Sequence, residues 1–187
     1  MAAKSSFMNM ALCLTLVCLV CAAILGSLYA VTKDPIEATR AAQAKAAIAK
    51  VLPDGGEISR PVPVDKGGVV EYSVQTAADS SVLAYAVKTV SGGFGGQLVL
   101  MVGVQPDGTV YNTTVLEHAE TPGLGAKCTE ENSHFREQWK GFKGVLAVTK
   151  DKGDVDAITA STITSRAYTK AVKQAVDFVR GLKPSEE

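Results

Sequence analysis

Between Asp156 and Ser165 the chain reads Asp-Ala-Ile-Thr-Ala-Ser-Thr-Ile-Thr-Ser. Five hydroxyls, those of Thr159, Ser161, Thr162, Thr164 and Ser165, fall within seven positions behind one carboxylate. From Thr162 to Leu182 the residues Ile163, Ala167, Ala171, Ala175 and Phe178 recur at helical spacing, and Gly181 and Pro184 can close the run. The hydroxyls therefore stand at a helix start, where unpaired N–H groups and the helix dipole favour a negative group, so a phosphate would be well placed there. N-capping is the competing use, because Ser and Thr are the residues expected at that position. One cap needs one hydroxyl, and the surplus does not by itself prove a ligand.

A second chemistry-bearing run is His118-Ala-Glu-Thr-Pro-Gly-Leu-Gly-Ala-Lys-Cys128. Gly123 and Gly125 around Leu124 let the backbone approach a flat ligand, with amide N–H groups free to donate to carbonyl or phosphate oxygens. The plainer alternative is a Pro-Gly turn after a strand. The Ser91–Gly96 run has neither the GxGxxG spacing nor a following Lys-Ser/Thr, and is expected to be a flexible connection. His118 and His134 sit in no metal-ligand spacing, so no metal site is expected. Cys128 has Lys127 beside it but no identifiable base, which is weak support for a nucleophile.

Lys plus Arg and Asp plus Glu are 19 each, with no clustering of positive residues, which argues against a nucleic-acid partner. No charged residue lies between Lys4 and Lys33, and the apolar run Phe7–Val31 makes a helix of about 37 Å, enough to cross a hydrocarbon core of roughly 30 Å. It is longer than a signal-peptide apolar region and lacks a clean cleavage site, so a retained anchor is expected. Cys13, Cys18 and Cys21 lie inside it as small apolar residues, leaving Cys128 without an intradomain disulfide partner. Lys4 on one side and Lys33 and Arg40 on the other leave the orientation undecided by charge.

The elements that must position the two runs follow from pattern. Asp34-Pro35-Ile36-Glu37 has the form of a helix start, and Pro53-Asp54-Gly55-Gly56 stops the alanine-rich stretch that follows. Strands are expected at Val69–Gln75, Val82–Val90, Gln97–Val104 and Thr109–Glu117, the last two joined by the turn Pro106-Asp107-Gly108. A meander of about four strands leaves one face to be covered by a helix or a ligand. A short helix over Glu131–Phe142 carrying Phe135 and Trp139, a strand at Gly144–Thr149, a polar turn at Lys150–Gly153 and an extended piece at Val155–Thr159 complete the chain. The expected class is α+β, divided into a tail (1–6), a transmembrane helix (7–31), a helical stalk (32–52) and a soluble domain with an antiparallel sheet and packed helices (53–187).

Asp156-x-x-Thr159-Ala160-Ser161-Thr162 resembles the flavinylation motif Asp-x-x-(Ser/Thr)-Gly-Ala-Thr of membrane-anchored FMN-binding domains, with Ala160 where Gly is usual and Ser161 where Ala is usual. Glu120-Thr121-Pro122-Gly123-Leu124-Gly125 stands at the corresponding place in the G subunit of the Rnf electron-transport complex and in its relative, the C subunit of the Na⁺-translocating NADH:quinone reductase. Order, spacing and the single anchor are similar to the Rnf protein across nearly the whole chain.

The resemblance implies FMN joined covalently to Thr162 through a phosphoester, Asp156 and Thr159 read by a flavin transferase, Ser161 beside the attachment point, and Glu120, Thr121, Pro122, Gly123, Leu124 and Gly125 lining the flavin pocket. It further implies an electron relay within a complex that couples ferredoxin/NAD electron transfer to Na⁺ or H⁺ translocation. Partners would be the other Rnf subunits. The soluble domain would lie on the periplasmic or extracellular side of a bacterial inner (cytoplasmic) membrane, and the chain would turn over no substrate alone. Two other functions fit the residues: a membrane-anchored binding or assembly module whose hydroxyls are only caps, and a flavin-dependent reductase of an extracellular acceptor.

Overall fold

A computed structural model describes residues 7–130 and 132–182. The expected tail with Lys4, the helix start at Glu131 and the stop at Pro184 lie outside the described residues. The chain divides into two compact units, Met1–Ala42 and Gln43–Glu187.

In the first unit the apolar run is helical with its side chains unburied by the rest of the chain, part of a helix α1 that extends over Phe7–Val51 and is long and apolar enough to cross a membrane. The helix signal at Asp34-Pro35 starts no separate helix: α1 continues through Pro35, so the alanine-rich stretch runs on from the apolar helix, as a stalk continuing from it would. A proline inside a helix removes one donor and crowds the preceding turn at a cost of about 3 kcal/mol. Here the helix is unbroken on both sides, and the Thr39 hydroxyl donates to the Pro35 carbonyl at 2.8 Å.

The second unit is built on one antiparallel sheet of strands β1 (Glu57–Ile58), β2 (Val62–Lys66), β3 (Val69–Thr76), β4 (Val82–Gly92), β5 (Gln97–Val104) and β6 (Val110–Glu117). The order is β1-β3-β4-β5-β6, with β2 also paired to β3. β1 and β2 were not expected; Pro61 and Pro63 around Val62 obscure the alternation, and prolines are tolerated because these strands sit at the sheet edge. β5 and β6 turn through Pro106-Asp107-Gly108 as expected, the Asp107 carboxylate accepting both the Thr109 N–H and its hydroxyl.

Along β5, Leu98, Leu100, Val102 and Val104 face one side and Met101 the other, the period-two alternation of a strand covered on both faces. The first side is covered by α3 (Thr162–Leu182), which buries Ala167, Tyr168, Ala171, Val172, Ala175, Val176 and Val179 against it. The alanines keep the approach close, and each buried valine contributes on the order of 1.5–3 kcal/mol. Ile163, expected on this face, is instead exposed at the helix start. Ala47, Ile48, Val51 and Leu52 cover Ala84, Ala86 and Met101 on the other side.

Two expected elements shrink. The helix over Glu131–Phe142 is α2, His134–Glu137 only; beyond it the bonds shorten to i→i−3, and the Phe142 carbonyl is taken by Val110 N–H. The expected strand Gly144–Thr149 joins no sheet. Its backbone bonds stay within residues 145–155, with a single bridge between Val148 and Val155 and a 3₁₀ turn at Thr149–Asp151. Phe135 and Trp139 do pack together, edge-on at 6.2 Å, with Trp139 stacked on Tyr168.

Candidate functional site

Two hydrogen bonds place the start of α3 beside the strand ends. The Ser91 hydroxyl at the end of β4 donates to the Ala167 carbonyl at 2.8 Å, and the Thr113 hydroxyl on β6 meets the Tyr168 hydroxyl at 2.7 Å. The loop Gly93–Gly96, the turn after β6 and the first turn of α3 are thereby brought to one end of the sheet.

Glu120 joins all three. It is 6% exposed, and its carboxylate accepts the Phe94 N–H at 2.8 Å through Oε1 and the Thr164 hydroxyl at 2.7 Å through Oε2. A Cβ on Gly93 would overlap Glu120 Oε1, one on Gly95 would overlap the Ala119 carbonyl, and one on Gly125 would lie 2.5 Å from Glu120 Oε2. The Gly-rich run, expected as a flexible connection, is therefore fitted to the Glu120 segment by close approach. Its signal in the sequence is one aromatic, Phe94, between two glycine pairs.

The hydroxyl-dense run is resolved into separate uses. Ser165 Oγ donates to the Ser161 carbonyl at 3.0 Å and accepts the Ile158 N–H at 2.9 Å, folding the approach back on the helix. Thr164 serves Glu120. Ala160 takes φ +61°, the left-handed region in which glycine is at ease, so the motif's usual glycine coincides with a real backbone requirement. The first helix-type bond runs from Ser165 N–H to the Ser161 carbonyl at 3.0 Å, so the N–H groups of residues 162–164 have no acceptor on the helix. The half-buried Thr162 carries a hydroxyl that accepts a hydrogen bond from Lys150 Nζ at 3.3 Å.

These pieces enclose a cavity of about 340 Å³ lined by Phe94, Glu120, Thr121, Leu124, Gly125 and residues 160–164. That lies within the ordinary range of small-molecule pockets, about 300–1,000 Å³. Of the expected site residues, Glu120, Thr121, Leu124, Gly125, Ser161 and Thr162 line it. Pro122 and Gly123 belong to the same turn without lining the cavity. Asp156 and Thr159 are exposed outside it, the Asp156 backbone being held at both N–H and carbonyl by the Gln138 side chain. Phe94, Ala160, Ile163 and Thr164 line the cavity and were not among the expected site residues.

Cys128 is fully buried, and burial, with the Glu120 carboxylate adding to it, pushes its thiol up to about 11. It is a neutral core residue at physiological pH rather than a nucleophile. His118 Nδ1 accepts the Glu120 N–H at 3.2 Å, a structural use.

The FMN-binding domain family matches residues 93–177, and the RnfG N-terminal region matches residues 1–51. The chain is 36% identical over 170 residues to the G subunit of the proton-translocating ferredoxin:NAD(+) oxidoreductase complex of Clostridium ljungdahlii, covering 89% of this chain and 88% of that one. It is 32% identical over 179 residues to the G subunit of the ion-translocating oxidoreductase complex of Haemophilus influenzae, covering 85% and 83%. With the same-named protein of Methanosarcina acetivorans it shares 34% over 167 residues, covering 86% and 87%. A crystal structure of the C subunit of the Na(+)-translocating NADH-quinone reductase from Parabacteroides distasonis aligns with a TM-score of 0.45 at 26% identity, over 61% of this chain and 65% of that one.

Proposed function

The chain belongs to the family of G subunits of Rnf-type ion-translocating oxidoreductase complexes, and from that premise we propose that it is a single-pass membrane flavoprotein whose Thr162 carries FMN through a phosphoester. It is an electron-transfer subunit of a translocase and turns over no substrate alone. Its partners are the other subunits of the complex, together with a flavin transferase that loads it. Its soluble domain faces the periplasmic or extracellular side, and the complex couples ferredoxin/NAD electron transfer to Na⁺ or H⁺ movement.

The observation that carries the attachment point is the place of Thr162, which lines the cavity at the N-terminus of a 21-residue helix together with Glu120, Thr121, Leu124 and Gly125. The residues fit the group. Unpaired N–H groups at the start of α3 suit a phosphate, a helix N-terminus favouring a negative group by about 0.3–1 kcal/mol. Phe94, Leu124 and Ile163 are exposed apolar side chains around the same opening and suit a flat ring. FMN, when bound, supplies one- and two-electron redox chemistry at its ring.

The chain's own residues fix, shield and orient. Glu120 holds the Phe94 loop and the first turn of α3 at constant separation by using both carboxylate oxygens on protein donors. The αL turn at Ala160 leads into the helix start at Thr162, and Phe94, Leu124 and Ile163 give the cavity an apolar lining against which a flat ring would lie. Asp156 and Thr159 are exposed just upstream, which supports their being read by the modifying enzyme.

Acid precipitation of the full-length protein, produced together with its flavin transferase, tests the proposal. FMN remaining in the precipitate is the expected result; flavin recovered wholly in the supernatant would count against a covalent link.

A further inference from the structure

Resting on the assignment of FMN to Thr162, we propose that Lys150 is a positioning residue for the phosphoryl group: its ammonium orients the Thr162 hydroxyl and then pairs with the phosphodiester formed there. Lys150 Nζ lies 3.3 Å from Thr162 Oγ1 and is the one cationic side chain among the described residues found within hydrogen-bond distance of a cavity-lining hydroxyl. It is exposed, so the contact matters only if the backbone beneath it is fixed.

That backbone is fixed twice. Thr149 N–H donates to the Val155 carbonyl at 2.9 Å and Gly153 N–H to the Val148 carbonyl at 3.1 Å, and Val148 and Val155 are buried in the core. The neighbouring Asp151 takes Nε and Nη2 of Arg166 at 2.7 Å each, a two-point clamp onto α3 one turn beyond Thr162. A bidentate guanidinium–carboxylate pair sets orientation as well as distance. It also consumes the charge of Asp151, while the Asp154 carboxylate accepts Val145 N–H at 2.6 Å. Lys150 is thus presented to a neutral hydroxyl that takes one of its three donors. A phosphodiester on that oxygen would supply the missing negative charge.

The loading step balances without an oxidant. A bond forms between Thr162 Oγ1 and the phosphorus of the FMN half of FAD, the pyrophosphate bond breaks, AMP leaves, and the hydroxyl proton passes to the transferase or solvent. Lys150 takes no part in the proton transfer. Its contribution is orientation of the oxygen and attraction for the phosphoryl oxygens, made partly in water and therefore screened.

Full-length protein in detergent, incubated with purified transferase and FAD and sampled by intact mass, gives the rate. Lys150→Ala is expected to load about tenfold more slowly, Lys150→Arg within about threefold of wild type, and Lys150→Glu more slowly than Ala, as for a charge-assisted hydrogen bond near the surface. Phosphorus NMR of the loaded proteins separates contact with the phosphate from contact with the transferase: the resonance should move between wild type and Lys150→Ala. Equal loading rates across the series, or an unmoved resonance, overturn the role of Lys150 and leave attachment at Thr162 standing. A wild-type chain that gains no adduct, or an adduct that survives Thr162→Ala, removes the attachment itself and Lys150's role with it.

Discussion

Glu120 Oε2 and the Thr164 hydroxyl lie 2.7 Å apart, joining residues 44 positions apart in sequence across a buried contact. Through this bond the turn after β6 and the first turn of α3 become one structure, and the other carboxylate oxygen adds the Phe94 loop. The separate motifs are therefore three walls of one cavity.

Removing that carboxylate leaves a buried donor, the Thr164 hydroxyl, and a partly buried one, the Phe94 N–H, without their acceptor. Glu120→Ala is expected to lower unfolding stability by about 3–6 kcal/mol, the scale of two hydrogen bonds to a charged group. Glu120→Gln should cost about 1 kcal/mol, since its amide oxygen can still accept from Phe94 while Thr164 turns to accept from the amide nitrogen. Denaturant unfolding of the three proteins checks the order; equal stabilities would show that Glu120 is not the joint.

Phe94 is the opposite case. It is 67% exposed, so Phe94→Ala should change stability by no more than about 0.5 kcal/mol. If it covers one side of a bound ring, the same substitution should raise iodide quenching of flavin fluorescence about twofold or more. Unchanged quenching would remove Phe94 from the site.

Ala160 stands at φ +61°, which costs an L-residue about 1–2 kcal/mol. Ala160→Gly relieves that strain but gives the unfolded chain about 0.5–1 kcal/mol more entropy. A net stabilisation of up to about 1 kcal/mol is expected, read as a higher denaturation midpoint. A clear loss of stability would mean that the αL turn is not maintained.

What the sequence reveals here depends on whether the cause is local. The apolar run Gln97–Val104, the Pro106-Asp107-Gly108 turn and the helical spacing from Thr162 to Leu182 are written in neighbouring residues, and the strand, the turn and the helix are found where expected. Gly144–Thr149 has strand-like composition but spends its backbone bonds within residues 145–155, and the segment after α2 ends with the Phe142 carbonyl taken by Val110. Neither fact is contained in those segments. At the site, Thr162 and Glu120 could be picked out by motif, whereas the role of Gly93 and Gly95 depends on their approach to Ala119 and Glu120, and Lys150 is placed by a clamp from Arg166.

Alkaline pH should destabilise the folded domain. Cys128 rises from 9.0 to about 11, so between those values the native state keeps a proton that the unfolded state has released. The Cys128 contribution is lost as pH rises from about 9 and is gone above about 11, a loss of about 2–3 kcal/mol. Tyr168, pushed up from 10.0 to about 12 by burial, adds a loss of the same sign from about pH 10 upward. Cys128→Ala should flatten the slope between pH 9 and 11 in denaturant titrations; a slope identical to wild type would assign it elsewhere.

The central claim concerns one oxygen, Thr162 Oγ1, and intact mass of the full-length protein produced with its flavin transferase tests it most directly. The account predicts a gain of one FMN less one water in the wild type, carried by the peptide containing Thr162, and no gain in Thr162→Ala. An adduct that persists in Thr162→Ala, or a flavin peptide modified at Ser161 or Thr164, would contradict it.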